Sequence, residues 1–194
     1  MDHKNKISKF IILIVISILF NFSCQQKSNI SKIEIYTINE QSLDKEDVLD
    51  SINKKIIYAP KFEVSENMLS KTPLILNEEI ICIDTISSKI KLSADAINKI
   101  VTIKPSMKHG IKFAICNNRK PIMTGYFWSS FSSYGSTWNC IEYNHTEKLN
   151  KTMSLNFYKG NGMDASKREK INFANYKDIV KIFKESGRIE CESN

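Results

Sequence analysis

Long apolar runs are scarce in these 194 residues. The main one, Phe10 to Phe20, is relieved only by Ser17 and is roughly half of the ~20 residues a helix needs to cross a bilayer. A multi-span membrane protein is thereby excluded. Histidine is nearly absent as well: of three, only His109 and His145 lie beyond the first two dozen residues. The chain has no Cys-x-x-Cys, no His-Glu-x-x-His, no EF-hand loop, no Gly-x-Ser-x-Gly elbow and no Walker spacing. Redox pairs, zinc ribbons, calcium loops and phosphate loops therefore have no motif to support them, and no metal or cofactor is expected. No internal repeat, low-complexity tract or linker follows residue 31, so one domain is expected over residues 32–194.

Charge excludes little more. The formal net charge is +7, of which Lys4, Lys6 and Lys9 with Asp2 supply +2, leaving +5 for the remainder. The lysines are scattered among acids, as in Leu43-Asp44-Lys45-Glu46-Asp47, instead of being concentrated on one stripe. Nucleic acid is not an expected partner; solubility and weak attraction to anionic surfaces are.

The first residues state a destination. A basic segment with Lys4, Lys6 and Lys9 precedes the apolar run, and Asn21-Phe22-Ser23-Cys24 follows it, a secretory signal pattern. The small Ser23 directly before Cys24 resembles the bacterial lipoprotein signal, in which the cysteine is acylated and becomes the mature N-terminus. The pattern departs from the family's lipobox at Asn21 and Phe22, where Leu and a small residue are preferred. A conventional signal peptide with an incidental cysteine is the other reading of the same residues.

The lipoprotein resemblance implies a signal peptide at 1–23, a lipidated N-terminus and tether at 24–31, and attachment to the membrane through Cys24. Each acyl CH₂ contributes about 0.8 kcal/mol, enough for a triacylated cysteine to hold a domain without a protein span. Gln25 stands where Asp would favour inner-membrane retention, so the resemblance implies the outer membrane of a Gram-negative envelope.

Four cysteines remain after Cys24: Cys82, Cys116, Cys140 and Cys191. An exported compartment permits bridges, and four cysteines allow three connectivities. Cys82, Cys116 and Cys140 sit in apolar, strand-like text, where a free cysteine acts as a small buried hydrophobe, and that is the expected state.

Periodicity gives the elements. Alternation over Lys32 to Ile38 predicts a half-buried strand. Ser42 to Ile52 reads as a short helix, Lys55 to Tyr58 as extended, and Ser65 to Ser70 as a short helix before Pro73. Glu79 to Asp84 and Lys89 to Leu92 are expected strands. Ser93 then caps a helix whose Ala94, Ile97, Ile100 and Val101 share a face before Pro105. Ile111 to Cys116, the turn Asn117-Asn118-Arg119-Lys120, and Pro121 to Trp128 form an expected hairpin. Thr137 to Asn144 and Thr152 to Tyr158 are an expected antiparallel pair. Tyr176, Ile179, Val180 and Phe183 fall on one face of a last helix, with Asn175 as its cap and Gly187 just after it. Hairpins with occasional helices predict an α+β domain, its sheet mainly antiparallel and its helices packed on one face.

The order Ile90-Lys91-Leu92-Ser93, helix, Gly110-Ile111-Lys112-Phe113-Ala114-Ile115, Asn-rich turn, Pro121-Ile122-Met123-Thr124-Gly125 resembles the strand, helix and hairpin of the periplasmic head of the SecD protein-export subunit. It covers about a fifth of the chain, and the subunit's transmembrane helices have no counterpart here. The aromatic run Gly125-Tyr126-Phe127-Trp128-Ser129-Ser130-Phe131-Ser132-Ser133 behind such a leader is similar to uncharacterised bacterial lipoproteins, a likeness that implies no activity.

Two classes of function stay open at this point. Ser129, Ser130, Ser132, Ser133, Ser136 and Cys140 crowd near His145, the ingredients of an envelope hydrolase using His145 or His109. An extended chain would nonetheless hold Cys140 and His145 about 16 Å apart on opposite faces. Gly160-Asn161-Gly162 near Lys167-Arg168 reads as a plain turn. The other class is a non-catalytic binding or accessory module, one version of it an immunity or inhibitor protein. Tyr126, Phe127, Trp128, Phe131, Tyr134, Trp138 and Tyr143 lie within eighteen residues among Ser, Gly and Thr. Such a mixture suits a glycan, peptide or envelope-protein partner. Tyr126, Trp128 and Tyr143 are expected in the core, and Phe131, Tyr134 and Trp138 on an exposed contact surface.

Overall fold

The computed structural model describes residues 31–39, 48–49, 56–104, 107–144, 152–160, 166 and 168–191. The chain divides into two units, Met1–Ile30 and Ser31–Asn194. The first, with the leader, Cys24 and most of the expected tether, lies outside the described residues, as does His145.

The second unit is α+β. Ten strands occur among the described residues: β1 (Ile33–Thr37), β2 (Val48–Leu49), β3 (Ile56–Ile57), β4 (Ile80–Asp84), β5 (Lys89–Leu92), β6 (Ile111–Asn117), β7 (Lys120–Ser129), β8 (Asn139–Tyr143), β9 (Met153–Gly160) and β10 (Arg168–Lys170). Helix α1 (Ala94–Thr102) joins β5 to β6, and α2 (Lys177–Glu185) follows β10. The main sheet runs β1-β6-β7-β8-β9-β5-β4, with β10 also paired to β9; β2 and β3 form a separate two-stranded ladder. All pairings are antiparallel except β7 with β8.

Strand alternation divides the apolar side chains between two faces. Ile33, Ile35, Phe113, Ile115, Phe127, Ile141, Leu155 and Phe157 belong to the principal core, to which α1 gives Ala96, Ile97 and Ile100 and α2 gives Ile179, Ile182 and Phe183. Both helices therefore bury on one face, as expected. The opposite face carries Tyr36, Ala114 and Cys116, then Tyr126, Trp128, Cys140 and Tyr158. Ala59, Phe62, Val64, Met68 and Leu69 cover it.

Local chemistry explains the ends of the elements. Ser93 Oγ accepts from Ala96 N at 3.2 Å and caps α1, a bond worth about 1 kcal/mol. Asn118 and Arg119 both take positive φ, 48° and 71°, the backbone that a two-residue hairpin turn demands. Gly125 is required where β7 passes β6: a Cβ there would stand 2.6 Å from Phe113 Cζ and 2.9 Å from the Asn139 carbonyl oxygen.

Four expectations are corrected. Residues 48–49 of the expected helix at 42–52 are a strand paired with Ile56–Ile57, because two adjacent apolar residues satisfy a short ladder as well as a helical face. The helix expected at 65–70 is a single 3-10 turn, Glu66–Met68. Asn175 does not cap α2: Asn172 caps a preceding 3-10 turn, Phe173–Asn175, through Ala174 N at 3.1 Å, and α2 follows Tyr176. Cys82 is not a free hydrophobe. It is bridged to Cys191 across 109 residues, because the C-terminal segment runs beside β4, with Ile83 N donating to Arg188 O and Glu190 N donating to Ile83 O, each at 2.9 Å. Cys116 and Cys140 are free and buried.

Candidate functional site

The parallel pairing of β7 with β8 shapes the aromatic segment. Tyr126 stands opposite Cys140 and Ser129 opposite Tyr143, so residues 130–138 must carry the chain back along β7. Serines hold this return in place. Ser129 Oγ accepts from Phe131 N at 3.3 Å, Ser132 Oγ accepts from Tyr134 N at 3.1 Å, and Ser136 Oγ accepts from Trp138 N at 3.0 Å. Ser132 Oγ also donates to Met107 O, tying the return to the segment before β6. Trp128 Nε1 donates to Tyr134 O at 3.2 Å from below.

The aromatic side chains separate accordingly. Tyr126, Trp128 and Tyr143 are buried, as expected. Phe131 is 52% exposed and Tyr134 37% exposed, with Met107 beside them at 42%. Tyr134 packs on Tyr58, ring centroids 4.8 Å apart, and Lys108 Nζ lies 5.5 Å from the Tyr58 ring. Trp138 departs from the expected exposure. It is half-buried, its Nε1 donating to Thr124 Oγ1 at 3.1 Å and Lys61 Nζ standing 5.4 Å above its ring. An indole that finds a hydroxyl partner settles against the sheet, leaving one face to the cation. Phe131 and Tyr134 are thus brought together with Met107 beside Tyr58 and Lys108, while Trp138 sits at Thr124 with Lys61.

Tyr58, Lys61 and Lys108 were missed in the sequence because their proximity depends on the crossing of residues 58–62 over the outer sheet face. A weak signal was present. Ala59-Pro60 marks a bend, and Tyr126 Oη donates to Pro60 O at 2.8 Å while Thr137 N donates to Tyr58 O at 3.2 Å.

Cys116, Cys140, Ser129 and Ser136 are committed to the core. The Cys140 side chain is wholly buried, and desolvation pushes its thiol up to about 12; burial does the same to Cys116. Ser129 and Ser136 are buried with their oxygens committed to backbone. His109 is exposed before Gly110, whose φ of +64° and close approach to Trp128 leave no room for a side chain. Arg168, from the Gly160 to Arg168 stretch, makes a two-pronged ion pair with Glu142, both bonds 3.0 Å, and stacks 4.8 Å from the Tyr158 ring. No cluster of three or more His, Cys, Asp or Glu that could hold a metal occurs among the described residues, and no described helix is long and apolar enough to cross a membrane.

No protein-family model, no curated protein and no solved structure matches this chain.

Proposed function

We propose that this is a lipid-anchored, non-catalytic binding or accessory protein of a Gram-negative envelope, held by Cys24 and contacting an envelope protein or glycan through Phe131, Tyr134 and Trp138. The observation that carries the export reading is the Cys82–Cys191 bridge, because disulfides persist in oxidising compartments and the leader sequence directs the chain to one. The binding reading is supported by exposed aromatics beside lysines, in a segment whose Ser129, Ser132, Ser136 and Cys140 are occupied structurally. An immunity or inhibitor protein is one version of this reading.

The anchor is tested by fractionation. Wild type should enter the detergent phase, and Cys24→Ser should yield an unprocessed or soluble form. A processed, detergent-phase Ser variant of unchanged mobility would remove the anchor. For the other half, a variant lacking both His109 and His145 should still correct a deletion strain; a folded variant that does not would return the protein to the hydrolases.

A further inference from the structure

The chain enters the domain at one end of the β6–β7 hairpin, the end away from Phe131 and Tyr134. β1 opens beside the hairpin turn: Ile33 pairs with Asn117, Lys32 N donates to Asn118 Oδ1 at 3.1 Å, and Asn118 N donates to Lys32 O at 2.9 Å. Arg119, in that turn, donates to Lys71 O at 3.2 Å and to Ser70 O at 3.3 Å, drawing the 70–72 loop to the same corner. Lys32, Lys71 and Lys120 are exposed there, and none of them forms an ion pair among the described residues. The acids nearby include Glu66, whose charge, like those of Glu34 and Arg119, reaches the Cys116 thiol. Glu34 is bonded by Tyr36 Oη beside Arg119, and Glu78 follows Asn77, whose Oδ1 accepts from Ile33 N. β7 then runs ten residues, about 30 Å, to Ser129 at the other end, where Phe131 and Tyr134 are exposed.

We propose that the hairpin end, through Lys32, Lys71, Arg119 and Lys120, rests on the anionic phospholipid headgroups of the membrane that anchors the protein, leaving the Phe131–Tyr134 surface pointing away from the bilayer. The inference rests on acylation of Cys24. Seven residues lie between Cys24 and Lys32, so eight residue steps give a reach of at most about 28 Å. The end of the domain from which that segment leaves is the end the lipid holds near the surface, and it presents Lys32, Lys71, Arg119 and Lys120. Each lysine brought to an anionic surface raises binding about fivefold.

The test is amine-reactive labelling of the wild-type protein in its own membranes, with labelled lysines and the N-terminal peptide identified by mass spectrometry. Expected are acyl chains on Cys24 and labelling of Lys32, Lys71 and Lys120 about fivefold or more slower than in detergent-extracted protein. Lys104, before the opposite end of β6, and Lys89, in β5, should label equally in both states. Acylated Cys24 without protection overturns the orientation alone; unmodified Cys24 overturns the anchor and this inference with it. Protection that survives extraction identifies a covering protein and overturns the lipid assignment. Separately from the anchor, the soluble form of the Cys24→Ser protein should sediment with phosphatidylglycerol-containing vesicles and not with phosphatidylcholine alone. Changing Lys32, Lys71 and Lys120 together to Gln should weaken that binding about a hundredfold. Lys104→Gln with Lys89→Gln should leave it unchanged, and equal losses from the two sets would refute a localised surface.

Discussion

Ser88 and Phe157 bond each other twice: Ser88 Oγ donates to Phe157 O at 2.5 Å, and Phe157 N donates to Ser88 O at 2.9 Å. They meet where the edge of β9 changes partner, from β5 along Met153–Asn156 to β10 along Tyr158–Gly160. Ser88 Oγ also accepts from Ile171 N at 2.9 Å, so one buried hydroxyl satisfies two backbone groups that neither ladder reaches. Ser88→Ala should cost about 1–3 kcal/mol, because both groups would stay buried without partners. Urea unfolding measures it, and a loss below about half a kcal/mol would show that the junction rearranges.

Such a junction marks where sequence reading stops. The hairpin of β6 and β7, the cap at Ser93 and the face of α2 are local, written in alternation, an Asn-rich turn and i, i+3, i+4 spacing. The pairing of β1 with β6, the parallel β7–β8 contact and the division of β9 are not local. Nothing in Ile33–Thr37 names Phe113–Asn117 as its neighbour. The site shows the same limit: Phe131 and Tyr134 were legible as aromatics in polar text, whereas Tyr58 and Lys108 reach them only through the tertiary path.

The bridge between Cys82 and Cys191 closes a loop of 109 residues, for which chain entropy predicts about 4–5 kcal/mol of stabilisation. Cys82→Ser, Cys191→Ser and the double variant should each lose about 2–5 kcal/mol, nearly the same in all three since one bond is lost in each. In denaturant without reductant, Cys116 and Cys140 should react with a thiol reagent while Cys82 and Cys191 wait for reduction. Four equally reactive thiols would remove the bridge from the account.

Asp84 closes the turn between β4 and β5, accepting from Ser87 Oγ, from Ser87 N at 2.8 Å and from Ile86 N at 2.9 Å. The Ser87 hydroxyl, then its amide, then that of Ile86, with Lys89 nearby, hold the carboxyl below its ordinary range against a small desolvation. A depressed folded pKa means the carboxylate's stabilisation is fully present above the unfolded value and is lost as pH falls through the folded one. The stability difference between wild type and Asp84→Ala should therefore be largest near neutral pH and shrink below about pH 4. Urea midpoints taken across that range test this, and a difference independent of pH would leave the turn without an ionised acceptor.

The aromatic segment should divide by stability into a supporting half and a presenting half. Trp128 is buried, bonds Tyr134 O and fills the space against Gly110, so Trp128→Ala should cost about 3–5 kcal/mol. Trp138, half-buried with a single hydroxyl partner, should cost about 1–3 kcal/mol. Tyr134 should lose about 1 kcal/mol with its Tyr58 contact, and Phe131, half exposed, less than about 0.5 kcal/mol. Binding should follow the reverse order. Phe131→Ala and Tyr134→Ala should keep the fold and weaken retention of the partner, because exposed aromatics contribute mainly when another surface covers them. Thermal unfolding of the four variants beside their retention of wild-type partners measures both orders. A large loss of stability at Phe131 with unchanged retention would assign that residue to the core and leave the surface without its anchor.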